Sequence, residues 1–143
     1  MQDIEDLERK AKEGSTPAQS VLGIAYLEGL DTEVDYDRAL KWLTIASEKG
    51  ASRAAVNLGR MYEHGWGTSG DIDHARTLYE RAAEAGEFFA FVYLARLHRE
   101  GNGVAKSEDT ARSWYRRAVD QKERVLDCPE LDEAIAFVEA EDS

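Results

Sequence analysis

Residues 54–86 read AAVNLGRMYEHGWGTSGDIDHARTLYERAAEAG. The spacing of small and apolar residues predicts two short helices, one that ends at Gly65 and one that runs from near Asp71 to Gly86. The same pattern recurs 36 residues earlier and 36 residues later without a gap. A fixed period of this length is typical of a solenoid of stacked helical hairpins. The repeated positions include Gly29, Gly65 and Gly101, then Leu22, Leu58 and Leu94, then Ala39, Ala75 and Ala111.

The period also predicts how the chain is divided. Lys122 stands where a repeat-ending glycine is expected, so the last helix of the third repeat should continue through residues 124–126. Pro129 suits the first position of a further helix, where no amide hydrogen is needed. We therefore predict one all-α domain over residues 1–143, with an N-terminal capping helix at 1–14, repeats at 15–50, 51–86 and 87–122, and a C-terminal cap at 123–143.

Two glycines lie inside predicted helices, where each costs about 1 kcal/mol relative to alanine in an exposed helix. A packing reason would explain their presence. We expect Gly59 to allow close approach of the neighbouring helix at Ala75, and Gly23 to do the same at Ala39.

Composition excludes several classes of protein. The net charge of −11 argues against binding to nucleic acid or to an anionic membrane surface, because both would repel the chain. One cysteine, Cys128, cannot form an intramolecular disulfide. The N-terminal residues are charged and include no apolar signal-like stretch. These observations predict a soluble, cytoplasmic protein with no membrane insertion, and they leave the oligomeric state open.

No motif predicts a catalytic, cofactor or metal site. The three histidines, His64, His74 and His98, lack the i,i+4 spacing of metal ligands. The sequences GWG at 65–67 and GNG at 101–103 do not continue as phosphate-binding loops, so they are interpreted as turns between helices. A hydrolase is a distant alternative, because only His64 near Ser20 or Tyr62 could supply a base beside a nucleophile.

The repeated residues resemble those of the Sel1-like repeat family. The resemblance is clearest in the second repeat and covers about residues 18–122. It implies a right-handed superhelix of antiparallel helix pairs, related to tetratricopeptide repeats, and a non-enzymatic protein-binding role. Bacterial members of the family act as adaptors in signalling, in envelope processes and as toxin-neutralising partners. The residues that carry it are Ala54, Leu58, Gly59, Tyr62, Gly65 and Gly67, followed by Asp71, Ala75, Leu78, Tyr79, Ala82 and Gly86.

The analogy with tetratricopeptide repeats places the first helix of each repeat on a concave face. Arg60 and Arg96 are equivalent positions of two repeats, so both are expected to be exposed along this groove. Arginine beside apolar side chains is typical of binding hot spots and suits a peptide or partner protein with carboxylate groups. The predicted partner-binding residues are Ile24, Leu27, Arg53, Val56, Arg60, His64, Phe89, Val92, Arg96 and Arg99.

Two alternatives to this groove remain open. Arg60 with Glu63, and Arg96 with Glu100, have the spacing of solvated ion pairs on a helix surface. The acidic convex face could instead neutralise a basic toxin, as an immunity-type protein would.

Overall fold

The computed structural model describes residues 3–142, without the side chains of residues 141 and 142. Within this range the fold is all-helical, as the sequence predicts, and contains no strand. A 3₁₀ turn, Lys122–Arg124, lies between the seventh and eighth helices. The eight α-helices are α1 Ile4–Lys12, α2 Thr16–Glu28, α3 Tyr36–Glu48, α4 Ser52–His64, α5 Ile72–Glu84, α6 Phe88–Glu100, α7 Glu108–Val119 and α8 Pro129–Asp142.

Side-chain caps fix where several helices begin. Ser15 accepts a hydrogen bond from the Ala18 amide at the start of α2, and Asp35 accepts one from the Arg38 amide at the start of α3. These contacts satisfy amide groups that have no partner inside a helix. Ser15 and Asp35 therefore cap the starts of α2 and α3.

The end of the third repeat differs from the prediction. Helix α7 ends at Val119, and Val125 has an extended backbone, so the expected continuation through residues 124–126 is wrong. The side-chain amide of Gln121 donates a hydrogen bond to the carbonyl of Gly86 at 3.0 Å. The same repeat position in the first repeat is Lys49, which donates to the carbonyl of Gly14. A polar side chain at this position therefore links the end of one repeat to the end of the previous repeat. The third repeat makes this bond although Lys122 replaces its terminal glycine.

The chain forms two compact units, the first ending at Arg81 and the second beginning at Ala82. In the first unit, α2 packs against α1, α3 and α4, and α3 packs against α4. The core of this unit includes Tyr26, Leu43 and Tyr79, each 2% exposed or less. In the second unit, α7 packs against α6 and α8 around buried Leu94 and Tyr115. The assignment of residues 1–143 to one domain stays a prediction.

The mid-helix glycines make close contacts, but not quite those expected. A Cβ atom on Gly59 would lie 2.6 Å from the Tyr79 ring and 3.3 Å from the Ala75 carbonyl oxygen. A Cβ atom on Gly23 would lie 2.7 Å from the side chain of Leu43, so its nearest contact is Leu43 and not the expected Ala39. Leu43 and Tyr79 are equivalent repeat positions. The glycine therefore makes room for a large side chain of the second helix rather than for a small one.

Candidate functional site

Arg60, a predicted partner-binding residue, contacts three side chains of the first unit. Its guanidinium donates to the Glu28 carboxylate at 2.8 Å and to the Asn57 side-chain oxygen at 3.1 Å. It also lies 5.4 Å from the centroid of the Trp66 ring. Only 24% of the side chain is exposed, so the expectation of a fully exposed arginine was wrong. The pair joins consecutive first helices, α2 and α4, and not residues within one helix.

Trp66 joins the loop after α4 to the start of α3. Its ring stacks on Tyr36, with centroids 6.2 Å apart, and on His64, with centroids 4.6 Å apart. Gly67 has a φ of 73°, and a Cβ atom there would lie 2.8 Å from the Cβ of Tyr36. Glycine at this position therefore permits both the left-handed turn and the close approach of the loop to α3.

The loop that leads into Tyr36 carries exposed apolar residues. Leu30 and Val34, in the loop between α2 and α3, are 53% and 51% exposed, and Tyr36 is 37% exposed. His64 is also exposed, while Trp66 is half-buried. We call this set the loop cluster, and it consists of Leu30, Val34, Tyr36, Arg60, His64 and Trp66.

The other predicted residues of the first unit divide between surface and core. Arg53 is exposed and Ile24 is half-buried. Leu27 and Val56 are buried, 5% and 3% exposed, so the expectation that they lie on the surface was wrong. The reason is that α2 and α4 pack against each other as well as against α3, which buries a wider face of each helix than the analogy allowed.

Arg96 in the second unit is paired with the C-terminal helix. Its guanidinium makes three hydrogen bonds of 2.7–3.2 Å to the Glu133 carboxylate, and the Tyr115 hydroxyl donates to the same carboxylate at 2.6 Å. The expectation of a fully exposed Arg96 was therefore wrong, because α8 supplies a carboxylate to it and only 36% of its side chain is exposed.

Burial and charge act in opposite directions on this network. Burial opposes ionisation of Glu133, but the hydrogen bonds from Arg96 and Tyr115 outweigh it and hold the pKa of the carboxyl below its ordinary 4.5. Burial and the bond to Glu133 raise the pKa of Tyr115 to about 12. The hydrogen bond to Glu133 raises the pKa of Arg96 as well. The network is thus most stable with Glu133 ionised and Tyr115 neutral.

The remaining predicted residues of the second unit lie near aromatic rings. The Arg99 guanidinium is 5.1 Å from the centroid of the Phe137 ring on α8. Phe89 is half-buried and stacks on Tyr93 at 6.1 Å. Val92 is fully buried, so it too was wrongly expected on the surface.

Two of the histidines pack against aromatic rings. His64 stacks on Trp66, and its Nε2 lies 3.7 Å from the Glu63 carboxylate. Tyr62 packs instead against His74, with ring centroids 4.1 Å apart. Within the described part of the chain, no three His, Cys, Asp or Glu side chains are grouped as metal ligands would be.

Length and hydropathy together decide whether a helix of the described residues can span a membrane. None of the helices formed by residues 3–142 combines the length and the hydropathy needed to cross a bilayer. The cytoplasmic location stays a prediction.

Comparison with known proteins identifies the family. The Sel1 repeat matches this chain three times, over residues 16–50, 52–87 and 92–123. The chain belongs to the Sel1 repeat family. Sel1 repeats are generally protein–protein interaction modules and generally non-enzymatic scaffolds, and their fold is an α-solenoid. A search of curated proteins found no significant match.

Solved structures of other Sel1 repeat proteins are similar. The protective antigen c5321 of uropathogenic Escherichia coli is 34% identical over 85% of this chain, with a TM-score of 0.77. A Sel1 repeat protein of Oxalobacter formigenes is 36% identical over 74%, with a TM-score of 0.67. This chain spans only 26% and 44% of those two proteins. Cysteine-rich protein B of Helicobacter pylori shares the fold at 21% identity, with a TM-score of 0.66 over 82% of this chain and 89% of its own.

Sequence reasoning on the Sel1 repeat missed three residues of these surfaces. Trp66 was read only as part of a turn, although an aromatic residue between two loop glycines is itself a signal of a contact. Tyr36 begins a helix and gave no such signal. Glu133 belongs to the C-terminal cap, outside the period, so no repeat spacing relates it to Arg96.

Proposed function

We propose that this Sel1 repeat chain binds a peptide or a partner protein, and that the loop cluster is a principal contact surface. The observation that supports the proposal is the position of Arg60. It is held by Glu28 across the Trp66 ring, which also stacks on exposed Tyr36. Leu30 and Val34 are exposed in the loop that leads into Tyr36.

The composition of the loop cluster is that of a binding hot spot. Tryptophan, tyrosine and arginine are the residues most enriched at such sites. Exposed aliphatic side chains next to them offer apolar area that a partner could cover. The stacking contacts of Trp66 also order the surface before a partner arrives, which lowers the entropy lost on binding.

The chemistry of α4 suggests the kind of segment that fits. Arg53 and Arg60 are seven residues apart, so they lie on one face of the helix, about two turns from each other. Arg53 is exposed. The proposed partner segment therefore places an apolar or aromatic side chain on the loop cluster and a carboxylate near Arg53.

The remaining predicted residues stay part of the proposal within their own units. In the first unit, half-buried Ile24 remains a candidate. In the second unit, Phe89, Arg96 and Arg99 remain candidates for a separate contact. The toxin-neutralising alternative, which would use the acidic surface, stays a prediction.

A displayed library of random linear peptides, selected on the immobilised chain, tests this function. Selected peptides should share an apolar or aromatic residue near an acidic one. Their affinity should fall by about 2 kcal/mol or more in Trp66→Ala, the loss expected at a hot spot. Trp114→Ala is the matched control, because Trp114 is also a half-buried tryptophan but lies on α7. Peptides that bind both variants equally would contradict the proposal.

A further inference from the structure

A cleft of about 710 Å³ lies in the first unit, lined by residues of α1, α2 and α3. Its volume is in the usual range of ligand sites, about 300–1,000 Å³. Tyr26 and Trp42, which are nearly buried, contribute aromatic surface to its lining. The cleft contains neither Arg60 nor any other residue of the loop cluster.

Cations line the cleft from two helices. Arg9 and Lys12 are three residues apart on α1, and Arg38 and Lys41 are three residues apart on α3. Residues at this spacing project from the same side of a helix. Lys41 Nζ is 4.7 Å from the centroid of the Trp42 ring, so a cation also lies over the aromatic lining.

The carboxylates of the cleft do not cancel these charges. Only Glu5 and Glu8 contribute acidic groups, and Glu8 also accepts a hydrogen bond from the Tyr26 hydroxyl. Arg9 and Lys12 make ion pairs within α1, and Arg38 pairs with Asp35 just before α3. These cationic side chains are 60%, 69% and 63% exposed. Exposed pairs of this kind contribute roughly 0–1 kcal/mol, so another carboxylate can displace them. The cleft is thus a cationic surface on a chain whose net charge is −11.

The opposite chemistry occurs at residues 126–142 of the same chain. This segment has no lysine or arginine. Leu126 is 89% exposed, and Asp127, Asp132 and Glu139 are exposed as well. The segment contains seven acidic residues, Asp127, Glu130, Asp132, Glu133, Glu139, Glu141 and Asp142. An exposed leucine among carboxylates is complementary to an aromatic cleft lined with cations.

We propose that the cleft binds this acidic segment of a second copy of the chain. Leu126 covers the apolar part of the cleft near Trp42, while Asp127 and Asp132 pair with the lysines of α1 and α3. Glu133 remains bound to Arg96 in its own copy, because the docking uses only residues that α8 leaves exposed. The contact joins two different surfaces, so it adds copies head to tail.

Sedimentation velocity of the full chain over a range of concentrations tests the proposal. We expect the mean mass to rise with concentration in low salt and to fall when salt screens the charges. Lys12→Glu with Lys41→Glu should weaken self-association by about tenfold or more, a change of about 1.4 kcal/mol. Asp127→Lys with Asp132→Lys should weaken it to a similar extent. Leu126→Ser should also weaken it, and a side chain this exposed can be replaced without unfolding the chain.

A charge exchange makes the test specific. The two double variants have complementary charges, so their mixture should associate more tightly than either variant does alone. Arg81→Glu with Lys106→Glu makes the same change in net charge elsewhere and should have no effect, and circular dichroism confirms that each variant is folded. A wild-type chain that stays monomeric at every concentration would overturn the proposal, as would a mixture that fails to associate. Binding of poly-glutamate to a chain that does not self-associate would overturn it too, because the occupant would then be another acidic protein.

Discussion

Arg96 binds Glu133 through three hydrogen bonds, whereas its repeat equivalent Arg60 binds Glu28. The first carboxylate comes from the C-terminal helix and the second from the preceding repeat. One repeat position therefore serves two purposes: Arg96 fixes the C-terminal helix of its unit, and Arg60 orders a surface that includes Trp66.

Glu133→Gln should destabilise the second unit at neutral pH. Loss of hydrogen bonds to a charged group costs about 1.5–3 kcal/mol. Because Arg96 and Glu133 are partly exposed, the loss of unfolding free energy should lie near the lower value. The pKa of Glu133 is lowered on folding, so its contribution is present above about pH 4.5 and is lost as the pH falls through the lower, folded-state value. Urea denaturation between acid and neutral pH measures both effects.

The control for this experiment lies on the same helix. Asp132 is exposed on α8, so Asp132→Asn should change stability much less. If Glu133→Gln kept the acid dependence of the wild type, the Arg96–Glu133 pair would not be the source of that dependence.

Gly59→Leu should lower the free energy of unfolding. Tyr79 is fully buried and its hydroxyl donates to Glu63 at 2.8 Å, so its ring has little freedom to move away from a new side chain. Overpacking costs about 1–3 kcal/mol, which exceeds the gain of about 1 kcal/mol from helix propensity. Thermal unfolding shows whether the substitution lowers or raises the melting temperature. Arg53→Leu on the same helix is the exposed control, and a raised melting temperature for Gly59→Leu would refute the packing argument.

Asp31→Gly should stabilise the first repeat slightly. Asp31 has a φ of 59°, while the equivalent Gly67 and Gly103 have 73° and 75°. The left-handed conformation costs most residues about 1–2 kcal/mol, less for aspartate, and glycine avoids this cost but loses more entropy on folding. A net gain of about 0.5 kcal/mol is expected by urea denaturation. Asp31→Ala should give no gain, and a destabilised glycine variant would show that the aspartate side chain stabilises the turn.

The fold was largely predictable because the helix ends and the packing positions repeat every 36 residues. The turn at Asp31 keeps its backbone shape even where the glycine is missing, since aspartate tolerates a positive φ better than most residues. The packing partner of Gly23 was not predictable from spacing alone, because the relative rotation of two helices decides whether Ala39 or Leu43 faces it.

The proposed binding surface was less predictable for two physical reasons. The burial of Val56 and Val92 depends on how neighbouring helices cover the first helix of each repeat, which the period does not specify. The partner of Arg96 depends on α8, whose residues have no counterpart in the repeats. Exposed Arg53 was correctly expected at the surface, but its role in binding stays a prediction.

The central claim is that the loop cluster contacts a partner, and chemical-shift mapping tests it most directly. The probe is a peptide selected from the random library, added to the isotope-labelled chain. The account predicts that the largest amide shifts fall at residues 30–36 and 64–70, and that Trp66→Ala abolishes them while Trp114→Ala does not. Shifts confined to other residues, or full binding by Trp66→Ala, would contradict it.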